Sequence, residues 1–469
     1  MAIMTEAPDV EGGVSRLAAI ERRHDLFAYR YDGWSAWRVM RNAAYQAAGG
    51  LPLVKPNRRD WSRSLAALVG TTRLLWILLL GRRKDLLVKT CRSALRLEVD
   101  GTFLDVHFDG LLTSGYTALK LEEVNTPNFE MQAAAALRPA DLDPVVFTFW
   151  GRILGTLLPA DVKQFCDDTS RLLRDEAGID MKPGWLRMRV STAFWQSRMF
   201  AAVLRRVRPR AVMVADTGEY ALNIACHGVG VRFVELQHGI FDASHPDAVP
   251  DWVEGSTAEL LLPDVLACFG TFWIERLRGT RQGLTAVAVG NQIIERARSK
   301  RSQRILDSCK RMVLTSQGLD SERLADWTEE MLSSAPEGLA WRLTIKLHPY
   351  YDAQTAAFDR FAEVGNVEVV RGEALPNVYD LLAQADLHLS VASACHFDAA
   401  ALGIPSVIVP LAGHESMLPV ADQKSLFVIS SPSDVWSVLA GPATSAQRAS
   451  SYVAPGFAEN LRQLVPAAA

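Results

Sequence analysis

Short apolar runs recur along the chain from residue 85 onward, and stretches with helical spacing lie between them. The runs DLLVKTC (85–91), VVFTF (145–149), AVMVA (211–215) and VRFVEL (231–236) have the length and β-branched content of strands buried on both faces. Residues 191–206 and 220–227 read as helices among them. A second series follows: VLACF (265–269), AVAV (286–289), MVLT (312–315), LTIKL (343–347), VEVV (367–370), DLHL (386–389) and SVIV (406–409). Helices are predicted there over 321–332, 377–383 and 396–402. Strands alternating with helices build parallel sheets covered on both faces. The pattern therefore predicts an α/β chain with two Rossmann-like, doubly wound domains facing a central cleft. They are expected at 85–262 and 263–433, after a helical preface over 1–84 and before a helical tail over 434–469.

The preface has its own signals. YRYDGWSAW (29–37) is aromatic-rich, and Ser35 is placed to cap a following helix. Residues 51–59, with two prolines and three cations, read as a break. The run LLWILLL (74–80) is far short of the ~20 residues that a bilayer span requires. It is flanked by Arg73 and by Arg82, Arg83 and Lys84, with Trp76 inside it. Two readings fit: a buried helix of the N-terminal region, or a helix lying in a membrane interface with its cations on head groups. Composition favours the first. The second leaves peripheral contact with the inner face of the cell membrane as an expectation.

Composition narrows the function. The chain has 469 residues, 49% hydrophobic and 22% charged, with a net charge of -3; it carries no basic field that would draw it to nucleic acid. Its six cysteines are scattered singly, without a CxxC pair, which argues against structural zinc and fits a reducing, cytoplasmic setting. GxxxxGK[ST] and GxGxxG are both absent, which argues against P-loop and nicotinamide chemistry. No dense aspartate pair suggests an obligatory metal, and no cofactor is expected beyond an activated co-substrate.

Open α/β sheets bind ligands at the carboxyl ends of their strands, so the polar residues there are the candidates. After 231–236 come Gln237, His238 and Gly239; the glycine permits a tight turn and the imidazole can accept a proton near neutral pH. Asp216 follows 211–215. Lys346 and His348 alternate at the end of a strand, before Pro349, and suit a phosphate. Ser390 and Ser393 precede a helix; Ser393 is a candidate N-cap, and Asp398 lies in the first turn. Ser316, Gln317, Gly290 and Asn291 occupy similar strand-end turns. Each alone is equally well read as a turn, a cap or a satisfied histidine.

Their order adds a further signal. The set ELQHG, FG, VGN, SQ, KLHP and SxxSxxxFDAxxLGxP, spread over 212–410, resembles bacterial GT-B glycosyltransferases of capsule and lipopolysaccharide assembly. It is also similar to the CDP-glycerol glycerophosphotransferase family. The resemblance implies transfer of a sugar or sugar-like group from a nucleotide-activated donor to a hydroxyl of a glycan or lipid-linked glycan. It implies His238 as general base, His348 at the donor phosphate, and Ser390, Ser393 and Asp398 in the donor segment. This chain has Gln237 where the glycerol-donor relatives carry tryptophan, and Asp398–Ala399 where sugar transferases carry an EA pair. Asp216-Thr217-Gly218 partly matches the acidic-acidic-glycine motif of bacterial sialyltransferases, so Asp216 stands beside His238 as a candidate base. Two other readings share the architecture. A nucleotide-sugar 2-epimerase would need several carboxylates, of which Asp216 and Glu219 are the obvious ones. A non-catalytic scaffold in polysaccharide assembly would bind no nucleotide.

Overall fold

The computed structural model describes residues 10–48, 61–124, 130–155, 158–305, 308–318, 320–348, 351–352, 355–371, 376–442 and 445–467. Pro349 and the break at 51–59 lie outside them. The chain forms two compact units. The first spans Met1–Cys268, Ile274–Val287 and Leu461–Ala469; the second spans Phe269–Trp273 and Ala288–Asn460.

The first unit is built on six strands: β1 (Leu86–Cys91), β2 (Ala118–Glu123), β3 (Ala211–Val214), β4 (Arg232–Leu236), β5 (Val265–Cys268) and β6 (Ala286–Ala288). Their order in the sheet is β6-β5-β4-β3-β1-β2. The pairs β1·β2, β1·β3, β3·β4 and β4·β5 are parallel. Helices α1 (Val10–Arg23), α2 (Arg38–Ala48), α3 (Trp61–Leu80), α4 (Val145–Leu154), α5 (Ala160–Ala177), α6 (Pro183–Val207) and α7 (Tyr220–Val229) belong to this unit. One core lies under the sheet, where Leu87, Leu121, Val212 and Phe233 meet Phe147, Phe200 and Leu222. A second joins α1 and α2 to α5 and α6 through Leu17, Trp37, Met40, Cys166 and Val190. Inside it Glu21 is fully buried against Arg41, at 2.5 Å, and accepts from Trp37 Nε1 and Tyr45 Oη. Arg41 also donates to Ala248 O at 2.7 Å and to Tyr45 Oη at 2.9 Å, so protein groups replace the water that the pair gives up.

The second unit repeats the plan with β7 (Lys310–Thr315), β8 (Trp341–Lys346), β9 (Val367–Val370), β10 (Leu387–Ser390), β11 (Ser406–Ile408) and β12 (Leu426–Val428). The order is β9-β8-β7-β10-β11-β12, and all five pairs are parallel. Numbered within the unit this is 3-2-1-4-5-6, the dinucleotide-fold order, which reverses direction between β7 and β10. Its helices include α8 (Gln292–Ser302), α9 (Ser321–Ser333), α10 (Val378–Gln384), α11 (Cys395–Ala401), α12 (Asp434–Ala440) and α13 (Ala446–Tyr452). Asn291, Asp320 and Asn377 cap α8, α9 and α10, each accepting a backbone N–H of the first turn.

The two doubly wound, Rossmann-like sheets are those that the alternation predicts. Five expectations are corrected. The run VVFTF is a helix, α4: Pro144 is its N-cap, Asp143 just before it accepts Val145 N at 2.8 Å, and Val146, Phe147 and Gly151 are buried at helical spacing. Strands β5 and β6 pair into the first sheet rather than opening the second. Ser35 does not cap α2, which starts at Arg38; Ser35 lies in a two-residue strand with its hydroxyl buried. Ser393 is not the N-cap of α11; Ala394 holds that position without a side-chain cap. The run 74–80 is the end of a twenty-residue helix, α3, most of whose apolar side chains are exposed rather than buried.

Candidate functional site

Each sheet gathers polar residues at the carboxyl ends of its central strands. In the second unit they meet at the reversal between β7 and β10. Ser390 ends β10, is fully buried, and donates to Thr315 O of β7 at 2.7 Å. Just beyond, Gln317 and Ala392 bind each other both ways: Gln317 Oε1 accepts Ala392 N at 2.9 Å, and Gln317 Nε2 donates to Ala392 O. Ser316 donates its N–H to Lys346 O at 3.1 Å, and its hydroxyl accepts His348 N at 3.0 Å. Ser393 Oγ accepts Cys395 N at 3.2 Å. Side chains thus lock three strand ends to one another, and the turns after β7, β8 and β10 are held as one rim.

His348 sits on that rim, partly exposed. Its ring stacks on Tyr351, centroids 4.5 Å apart, and its Nδ1 accepts Tyr351 N at 3.3 Å. A neutral imidazole whose Nδ1 accepts must carry its proton on Nε2. Burial holds this histidine below its ordinary pKa, with Asp352 opposing. It is therefore a neutral N–H donor at neutral pH, chemistry suited to a phosphate oxygen. Lys346 is buried in β8. Asp398 lies in the first turn of α11, partly exposed.

Gly290 and Asn291 are placed by packing. Gly290 has φ +95°, donates to Phe269 O at 3.1 Å, and lies so close to Ala454 that a Cβ would fall 2.3 Å from that carbonyl oxygen. Asn291 Oδ1 accepts Ile293 N at 2.9 Å as the cap of α8.

In the first unit the two alternative candidate bases come together. His238 Nε2 lies 3.5 Å from Asp216 Oδ1, both side chains about half exposed. Asp216 follows β3 and His238 follows β4, neighbours in the sheet. Asp216 Oδ1 also accepts Thr217 N at 2.8 Å, which fixes the carboxylate. Such an oxygen can pair with the imidazolium formed when the ring takes a proton. Gln237 is buried and donates to Gly239 O at 2.8 Å, so it shapes the turn that presents His238.

Beside this pair stands a cluster that the sequence reading missed. Lys89 of β1 is buried and ion-paired with Glu219, and with Glu123 at 3.1 Å. Burial alone would lower the Lys89 pKa, but Glu219 and Glu123 outweigh it and hold the ammonium well above its ordinary value. Burial raises Glu219, with Lys89 opposing. The signal was a single lysine inside the apolar run DLLVKTC, where a charge has to be paired. Below the turn, Glu235 is held well above the carboxylate range by burial, while Arg38, the Tyr220 hydroxyl and Asn42 overcome burial and hold Asp247 low. These two carboxyls line a cavity of about 10 Å³, room for about one water, which makes this network a support for the turn rather than a substrate pocket.

No family model matches the chain, and no curated protein does. Solved structures do. The UDP-GlcNAc 2-epimerase of Methanocaldococcus jannaschii aligns over 81% of this chain and 98% of its own, at 11% identity and TM-score 0.48. The Neisseria meningitidis UDP-GlcNAc 2-epimerase bound to UDP-GlcNAc aligns over the same shares at 12% and 0.48. The wall teichoic acid polymerase TagF aligns over 87% of this chain and 97% of its own, at 8% and 0.43. The fold assignment stands on strand order. This chain is a pair of Rossmann-like units. The reversal between β7 and β10 fits that assignment, and the polar rim lies where such a sheet binds its ligand.

Proposed function

We propose that the protein is a metal-independent glycosyltransferase of the GT-B type, acting in surface-polysaccharide (capsule or lipopolysaccharide) assembly, in the cytoplasm at the inner face of the cell membrane. The second unit holds a nucleotide-activated sugar, and the acceptor is a hydroxyl of a glycan or a lipid-linked glycan. The observation that carries the reading is the rim at the β7/β10 reversal: Ser316 holds His348, Ser390 holds Thr315 and Gln317 holds Ala392, with a neutral imidazole N–H at its edge. A leaving nucleotide gains negative charge as the bond to the sugar breaks, and fixed donors aimed at that charge supply the largest share of such catalysis. Helix α11, only seven residues long, adds little dipole, so the donors are side chains and turn N–H groups. His238 takes the acceptor proton, and Asp216 pairs with the ring once it is charged.

A second reading is favoured by a specific observation. To Asp216 and Glu219, the carboxylates that the sequence suggested, the first unit adds Glu123, which shares Lys89 with Glu219. An acid-base set of this kind suits a nucleotide-sugar 2-epimerase. Incubation with nucleotide sugars separates the readings. Nucleotide released only when an acceptor glycan is present supports transfer. A 2-epimer formed without acceptor supports epimerisation. Neither product, together with no nucleotide binding, leaves a scaffold and refutes both.

A further inference from the structure

Helix α3 has two faces, and both are apolar. Ala67, Gly70 and Leu74 are buried, with Gly70 against Val146 of α4 and Leu74 in the core under the sheet. Thr71 Oγ1 accepts Trp150 Nε1 at 2.9 Å, and at the far end Arg206 Nη2 donates to Leu79 O at 2.6 Å. The outward face should be polar on a helix docked in this way. It instead shows Leu65, Leu68, Leu75, Trp76, Leu79 and Leu80, with Trp76 67% and Leu79 71% exposed. The spacing 65, 68, 75, 76, 79 follows one stripe over four turns. Only 17% of the stretch Arg63–Leu80 is buried.

We infer that this face seats in one leaflet of an anionic lipid bilayer. Charge selects that partner. No acidic residue occurs between Asp60 and Asp85, while Arg63, Arg73, Arg82 and Arg83 are exposed along and just after the stripe. Cations flanking an apolar stripe with an indole in it match acyl chains edged by anionic head groups. A second copy of the chain would bring these four arginines against one another. The helix is long enough to cross a bilayer, but its other face is packed against α4 and the sheet core, so it lies flat in the interface. The inference deepens the membrane placement proposed above and is independent of the transfer chemistry.

The test is co-sedimentation of the full chain with vesicles of equimolar phosphatidylcholine and phosphatidylglycerol, and with phosphatidylcholine alone. Wild type should pellet with the anionic vesicles and be released as salt rises. Trp76→Glu with Leu79→Glu should weaken binding by about tenfold or more, and Arg82→Glu with Arg83→Glu by several-fold. Because the altered side chains are exposed, each variant should keep the wild-type melting temperature and nucleotide affinity, which separates this outcome from failure of the catalytic reading. The inference is overturned if wild type stays in the supernatant, if the Trp76/Leu79 variant pellets as wild type does, or if wild type is a dimer that this variant splits while neither binds vesicles.

Discussion

The neutral Nε2–H of His348 makes this residue the sharpest place to probe the second unit. Removing one such donor from a phosphate should weaken nucleotide binding by about tenfold. His238→Ala should instead lower turnover by ~10²–10⁴-fold and leave nucleotide affinity near wild type, and Asp216→Asn should show a smaller loss in the same direction, both read from kcat alongside calorimetry. Two further histidines govern pH dependence. His388 and His396 are fully buried, and the Ser406 hydroxyl lies 2.6 Å from Nδ1 of each. One hydroxyl donates once, so one ring accepts on Nδ1 and the other donates from it. Burial drives His388 well below its ordinary pKa and His396 down to about 4. The unfolded rings take protons near pH 6.5, so the stability tied to their neutral forms is complete above that pH and is lost as pH falls toward about 4. Stability should fall from pH 7 to pH 5 by on the order of 1–2 kcal/mol for His396, read as a lower melting temperature, and His396→Gln should flatten the slope. An unchanged slope would contradict this origin.

At the scale of elements, what the sequence revealed depends on where charge is buried. Strands of continuous apolar residues, such as β3 (AVMV) and β11 (SVI), were legible because both their faces are covered. Strand β2 (ALKLEE) was not. Its Lys120 is buried against Asp105 at 3.4 Å and Asp109 at 3.8 Å, partners contributed from the end of a short strand (Thr102–Asp105) and the start of a short helix (Asp109–Leu112) that no local pattern announces. Helix α4 was misread for the opposite reason: a ten-residue apolar segment has no period to separate helix from strand. The strand-end turns were legible where a glycine was required. Gly290→Ala should cost the second unit about 2 kcal/mol or more, because φ +95° is combined with the Ala454 carbonyl. Gly338→Ala, with φ +79° and nothing within 4 Å, should cost about 1 kcal/mol. Denaturant midpoints of the two variants would check the difference.

For the whole molecule, the candidate residues proved to be organised by sheet rather than by motif. His238 and Asp216 are 22 positions apart in the chain and meet because β3 and β4 are adjacent. Ser316, His348 and Ser390 meet because the order turns at β7. The sequence named these residues but could not pair them, since strand order is a property of the folded sheet. Of the Lys89 cluster it carried only the lone lysine in DLLVKTC and the carboxylate of Glu219, because the members come from β1, the end of β2 and the start of α7. The β7/β10 rim is the proposed nucleotide site. Calorimetric titration of UDP, GDP, CDP, CMP and TDP into wild type and His348→Ala tests it most directly. The expected result is selective binding of one nucleotide by wild type and about tenfold weaker binding by the variant. Binding of none of the five, or equal affinity in both proteins, would contradict it.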